Sequence, residues 1–230
     1  MIHKKVHGQM SEAVPTGILL TLSGGLQDAY TYFFRGNVFA NAQTGNIIIL
    51  GSNVMNGSWR TALRYFFPVL AFGAGIYVSE IIRGIFKEHK LLHWRQIVVL
   101  LEIFLLFFVG FIPPAFDMVA NVAVSFVCAM QVEAFRKIKG GAYASTMCIG
   151  NLRSATEMLY RYRHSRDKEV LEKCLRYYGV IIIFALGAVA GSFFIPYLGE
   201  KTIWLSCGLL ITAFCLMFIQ EDEEPAEDRP

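Results

Sequence analysis

The sequence predicts an all-α polytopic membrane bundle of six spans, arranged as an inverted 3+3 repeat with two re-entrant or broken-helix segments. Three observations lead there: apolar stretches long enough to cross a bilayer, an uneven distribution of lysine and arginine, and a Gly-Asn block that recurs in each half of the chain. The composition agrees. Of 230 residues, 55% are hydrophobic and 17% charged, against roughly 45–50% apolar and about 25% charged in a soluble domain. The bases are dispersed between apolar runs, so no nucleic acid is implied; the expected partners are the lipid bilayer and a small polar solute or ion, and a homo-oligomer is compatible with both.

A helix needs about 20 apolar residues to cross roughly 30 Å of hydrocarbon. Stretches 13–34, 62–82, 96–112, 118–135, 177–197 and 202–219 meet that need. The first follows a basic start, MIHKKVH, but exceeds a signal-peptide core and lacks a small-residue cleavage site, so it reads as a retained span. Two further stretches are ambiguous: 38–55 is apolar enough to span, whereas 143–160 contains Arg153 and Glu157. Lysine and arginine decide between six spans and eight, because short cytoplasmic loops collect them. With the amino terminus inside and both ambiguous stretches returning to the side they left, 16 bases lie inside and 4 outside; if both crossed, the division would be 11 to 9. Six spans with both termini cytoplasmic follow. The chain then divides into a cytoplasmic start (1–12), a first membrane repeat (13–112), a second (113–219) and a disordered acidic tail (220–230) with six acids and one base.

The repeat is visible at the residue level. Placing Gly150-Asn151 under Gly45-Asn46, a shift of 105, sets Glu133 under Asp28, Phe135 under Tyr30 and Gly141 under Gly36. At a shift of 112, Leu175-Arg176-Tyr177 matches Leu63-Arg64-Tyr65, Phe184 matches Phe72 and Gly187 matches Gly75. Each copy holds three spans, an odd number, so the second enters the membrane from the opposite face, an architecture used by secondary transporters. The first Gly-Asn segment then dips from outside and the second from inside. Reaching the midplane needs roughly 15 Å, which about five extended or ten helical residues cover. Because an unsatisfied amide in lipid costs several kcal/mol, both segments are expected to pack inside the bundle.

Those segments carry the candidate chemistry. Asn41, Gln43, Thr44 and Asn46 interrupt an apolar stretch in the first copy; Thr146 and Asn151 do so in the second. A helix beginning after each Gly-Asn would point free amides and its positive end at the break, which suits an anion or a polar oxygen. Asn46 and Asn151 either cap these helices, contact a solute, or simply hydrogen-bond between helices. Asp28 lies within the first span with Glu133 at the matching position, and Gln27 and Gln131 beside them; intramembrane ionisable groups commonly mark proton or ion paths. Against this, Glu133 is close enough to Arg136 and Lys137 to form a surface ion pair. Glu102, in the middle of its span, either joins the pathway or pairs across helices with Arg64 or Arg176. Arg153 either contacts an anionic solute or, as favoured by i,i+4 spacing, neutralises Glu157.

Other chemistry finds no support. Five cysteines show no C-x-x-C spacing or paired framework, and His89 with His93 lacks further ligands, so no metal is expected. Neither a Ser-His-Asp arrangement, an intramembrane His-Glu-x-x-His nor a Walker A sequence occurs, so no enzyme, no cofactor and no direct ATP drive are expected.

The runs Gly24…Asp28-Ala29…Phe39…Thr44-Gly45-Asn46 and Gln131…Phe135-Arg136-Lys137…Gly150-Asn151-Leu152 resemble the YoaK-like family of uncharacterised bacterial integral membrane proteins, over nearly the whole chain. The resemblance implies a multi-span protein of the bacterial inner membrane and supplies no substrate. Ile149 stands where the first copy has Thr44, which breaks the symmetry of those hydroxyls. The expected function is a secondary transporter of a small polar solute, with proton coupling through Asp28 and Glu133. A passive channel is the alternative, as is a non-transporting scaffold or sensor whose basic segment 161–176 docks a partner or anionic lipid.

Overall fold

The computed structural model describes residues 13–87, 93–138, 141–142 and 146–218. The expected amino-terminal segment, the acidic tail, His89, Lys90 and Lys139 lie outside the described residues.

Helix α1 (Val14–Ala29) starts at Pro15, whose missing N–H costs nothing in a first turn, and runs on as a π turn (Tyr30–Phe34). The next two residues with positive φ, Gly36 (85°) and Asn37 (61°), reverse the chain. Irregular backbone then leads to α2 (Gln43–Met55), a turn through Gly57 (φ 68°), and α3 (Trp59–Phe86). Helix α4 (Trp94–Val109) opens on a capping box: the His93 ring accepts from a first-turn amide, while the Gln96 side chain accepts from His93 N–H at 2.9 Å. A 3₁₀ turn (Pro114–Phe116) begins α5 (Asp117–Ala134), and a short antiparallel pair, β1 (Lys137–Ile138) with β2 (Gly141–Ala142), follows. Helix α6 (Cys148–Ser165) ends at left-handed Arg166, and α7 (Lys168–Leu198) is capped by Asp167, which accepts from Glu169 N–H at 2.9 Å. A 3₁₀ turn (Gly199–Thr202) joins α7 to α8 (Ile203–Leu216).

The surface is that of a membrane helix bundle. Leu63, Phe66, Leu70, Tyr77 and Ile85 on α3, and Ile182, Leu186, Val189, Phe193 and Tyr197 on α7, are exposed along helical stripes, where a soluble protein places charge. Among the described residues three stretches, Trp59–Phe86, Pro114–Ala134 and Lys168–Leu216, are long and apolar enough to cross a membrane. Helix α1 and its π turn bury a polar stripe: Thr16, Ser23, Gln27 and Thr31 lie inside alongside Leu20. Helices α3 and α7 also outrun the expected spans 62–82 and 177–197. Their flanking arginines and lysines favour continued helix, so the basic segment 161–176 is not a loop but the end of α6, a two-residue turn and the start of α7.

The packing pairs follow a pattern. Helix α1 lies on α7 and α3 on α5; α2 lies on α3 and α6 on α7; α4 lies on α5 and α8 on α1; and α4 meets α8. Exchanging α1–α4 for α5–α8 maps this set onto itself. Glycines mark the closest crossings. A Cβ on Gly75 would strike the Phe126 carbonyl of α5, and one on Gly187 would strike the Leu22 carbonyl of α1. Most of the apolar core is built from α4, α5 and α8, around Val98, Val99, Leu106, Val124, Ile203 and Leu210.

Candidate functional site

The polar stripe of α1 receives the irregular segment after Arg35. One oxygen of Asp28, Oδ1, accepts from two successive backbone amides, Ala40 N–H (2.8 Å) and Asn41 N–H (2.9 Å). Asn41 Nδ2 donates to the Gly24 carbonyl at 3.3 Å. Gly24 is eleven residues before Arg35, about 16 Å along a helix. The chain has therefore run back to mid-length of the 21-residue α1 and π-turn unit before α2 starts. Asn46 staples the bend: its Nδ2 donates to Phe39 O (2.7 Å) and Gln43 Oε1 (2.8 Å), and its Oδ1 accepts from Phe39 N–H (3.0 Å). Gln43 Nε2 donates to Ala40 O at 2.7 Å.

The second interruption arrives at the same turn of α1. The Thr146 methyl packs directly on Gly24, where any Cβ would collide with it. Thr146 is buried, and its hydroxyl, like Asn41 Oδ1, has no hydrogen-bond partner among the described residues. Around this junction Gln131 Nε2 donates to Leu20 O at 3.1 Å, and Gln27 links three helices. Its Nε2 donates to Ser23 Oγ and Ser206 Oγ, both at 2.9 Å, and its Oε1 accepts from the Cys128 thiol at 2.8 Å. Neither α2 nor α6 has a side-chain cap among the described residues; in the first turn of α2, Gln43 N–H donates to Asn41 O at 2.9 Å and Gly45 N–H to Ala42 O at 3.0 Å.

The structure thus brings together Gln27, Asp28, Asn41, Gln131 and Thr146, with Gln43 and Asn46 holding the shape of the first bend. Other expected members fall elsewhere. Thr44 is exposed on α2, away from the junction. Neither half-helix is packed throughout inside the bundle: α2 buries Asn46 alone, α6 buries Asn151 and Ala155, and Ile47, Ile48 and Ile149 are exposed. The exposed side of α2 is largely apolar, whereas that of α6 mixes Ile149 and Leu152 with Arg153, Glu157, Arg161 and Arg163. Asn151 is buried on the α7-facing side of α6. Glu133, at the last turn of α5, pairs with Arg136 (2.7 Å), which also reaches Glu80 (3.2 Å), rather than meeting Asp28. Arg153 is exposed, and Glu157 pairs with Arg161 at 3.9 Å instead; both spacings are i,i+4, and the pairing chosen places the acid N-terminal to the base. Glu102 pairs with neither Arg64, which donates to Gly36 O, nor Arg176; both its oxygens are buried with no hydrogen-bond partner among the described residues.

Sequence reasoning missed Ser23, Cys128 and Ser206, which complete the Gln27 cluster, and it missed Arg35. Counted as a loop base, Arg35 is fully buried. It donates to the Tyr30 hydroxyl from Nε (2.8 Å) and Nη2 (2.6 Å), to Asp117 Oδ1 (2.9 Å) and to Ile112 O (2.7 Å). The signal was present: an arginine ending one span and an aspartate opening another on the same expected face. Ser23 and Gln27 were also legible as an i,i+4 pair on the helix face shared with Thr16 and Leu20.

Chemically, the junction offers amide and hydroxyl groups, one carboxylate held by backbone amides, and two helix N-termini. Such groups are able to hydrogen-bond a polar molecule. Among the described residues no three His, Cys, Asp or Glu side chains gather to hold a metal ion.

Comparison with known proteins gives relatives without an activity. The profile of the family described as "Protein of unknown function (DUF1275)" matches residues 16–216. A "UPF0700 transmembrane protein YoaK" from Bacillus subtilis (strain 168) is 25% identical over 211 residues, covering 85% of this chain and 91% of that protein. No solved structure matches.

Proposed function

The chain belongs to the DUF1275 family of membrane proteins, and from that premise and the junction on α1 we propose that it is a secondary transporter of a small polar solute, coupled to protons, in the bacterial inner membrane. The observation that carries this reading is that both chain interruptions reach one turn of α1, Gly24, amid buried polar side chains. Transporters place solute sites where discontinuous helices of two related halves meet near the midplane. The packing pairs exchanged between α1–α4 and α5–α8 support two related halves. The odd number of spans per half, α2 and α6 being re-entrant, makes them inverted and puts both termini on one side, which the lysine and arginine distribution makes the cytoplasm.

In this reading the solute sits against Asn41, Gln131 and Thr146 beneath the first turns of α2 and α6. Asp28 is the latch. Its ionised oxygen holds Ala40 and Asn41 in place. Protonation weakens two charge-assisted hydrogen bonds and frees that segment to move. Proton binding at Asp28 and movement of the first bend are thereby one event.

The test is uptake into liposomes holding the purified protein, using a panel of labelled amino acids, sugars and small organic acids and amines under an imposed pH gradient. Saturable accumulation that collapses with a protonophore and is lost in Asp28→Asn is expected. Flux that never saturates and never exceeds equilibrium makes the protein a channel, and accumulation unchanged in Asp28→Asn removes the latch.

A further inference from the structure

A second carboxyl in the core is used by none of the contacts described so far. Glu102 is the ninth residue of the sixteen-residue α4, so about 11–12 Å of helix separates it from either end. It is completely buried, and neither carboxyl oxygen has a hydrogen-bond partner among the described residues. Its neighbours one turn away on α4, Val98, Val99 and Leu106, are equally buried and apolar.

Among the described residues no basic side chain pairs with it. Helix α5, packed against α4, carries the Cys128 thiol, which donates to Gln27, the residue next to the Asp28 latch. Helix α8 presents the Cys207 thiol, which donates to the backbone of Ile103, next to Glu102. Helix α3 brings Arg83 to α4 at the Trp94 end, where it lies over the indole ring at 5.8 Å. Arg95 of α4 itself is turned to the Ala134 carbonyl at 2.9 Å. An ionised carboxylate left unpaired in such a setting is prohibitively costly, and a neutral acid that donates no hydrogen bond still gives the fold less than a leucine of similar size. Glu102 therefore does nothing for stability that an apolar residue would not do better.

We infer that Glu102 is a proton-binding site in the bundle core, loaded as the neutral acid in the conformation described here. A proton needs one oxygen. A metal cation needs several converging ones, and the helix carbonyls around Glu102 are engaged in their own helices. Any part of Glu102 in coupling to the solute junction rests on the transporter reading; the proton site itself does not.

The probe is the proton, read by infrared spectroscopy on purified protein in lipid nanodiscs at neutral pH. A protonated-carboxyl stretch is expected that is absent in Glu102→Gln, retained in Asp28→Asn, and restored at a shifted frequency in Glu102→Asp. Sodium or potassium added at fixed pH should leave it unchanged. Absence of any such band attributable to Glu102, or its loss on adding a monovalent cation, overturns the inference, the latter by making the site a cation site. Glu102→Gln mimics the neutral acid and should fold; a melting temperature close to that of the parent confirms that the band, not the fold, was lost. Should Glu102→Gln unfold, Glu102→Asp carries the test: a band that does not move on this exchange is not from residue 102 and overturns the inference. Liposome uptake separates the two claims: no solute flux in a protein that shows the band ends the transporter reading and leaves the proton site standing.

Discussion

Replacing Arg35 with alanine tests how one end of the bundle is held. The guanidinium is completely buried and ties the π turn, through Tyr30, to the α4–α5 connection, through Asp117 and the Ile112 carbonyl. Tyr30 in turn donates to Glu200 O at 3.1 Å, so the same knot includes the α7–α8 turn. Removing one partner of a buried ion pair costs about 3–5 kcal/mol, because the other charge is left behind. The Asp117 side chain is 22% exposed and recovers some hydration, which places the expected loss near the lower limit, about 3 kcal/mol. Arg35→Lys keeps the charge but cannot serve Tyr30, Asp117 and Ile112 together, for a smaller loss of about 1–2 kcal/mol. Reversible unfolding in mixed detergent micelles measures both, and a cycle with Asp117→Asn should return a coupling of at least about 1 kcal/mol. A loss under about 1 kcal/mol in Arg35→Ala, with no coupling to Asp117, would refute the reasoning.

The remaining expectations concern the crossings and the first bend. Gly75→Leu and Gly187→Leu, each driving a side chain into the backbone of the facing helix, should destabilise by similar amounts, about 1–3 kcal/mol or more, whereas Gly73→Ala, which faces open space, should stay within about 1 kcal/mol; the same unfolding assay distinguishes them. Asn46→Ala removes the staple across Phe39 and should cost about 1–3 kcal/mol. Amide exchange should then quicken at Phe39–Asn41 and stay slow in α3 and α5.

Much of this architecture was readable before any coordinates, for identifiable reasons. The apolar windows placed most of the helices because lipid demands continuous apolar stretches. Their ends were harder to place. Hydropathy stops at the first charged residue, whereas hydrogen bonding carries α7 back to Lys168 and α3 on to Phe86. The first bend was legible because Asn41, Gln43 and Asn46 have no other use in an apolar stretch. Matching Glu133 to Asp28 by register misled, since helix α5 ends at Ala134 and its acid emerges beside Arg136, whereas α1 continues five residues past Ala29 as a π turn. A π turn leaves no clear mark in hydrophobic spacing. Nor does a single arginine reveal that its charge is buried; only the partner across three helices shows that.

The central claim is that the two interruptions meet at Gly24 from opposite sides of the bilayer. Single cysteines at Asn56, in the turn after α2, and at Lys168, the first residue of α7, are the direct test in a background with the five native cysteines replaced by alanine. In sealed vesicles of one orientation, a membrane-impermeant maleimide should label one position from outside and the other only after the membrane is opened. Labelling of both from the same side would contradict the inverted arrangement and, with it, the solute site between the two halves.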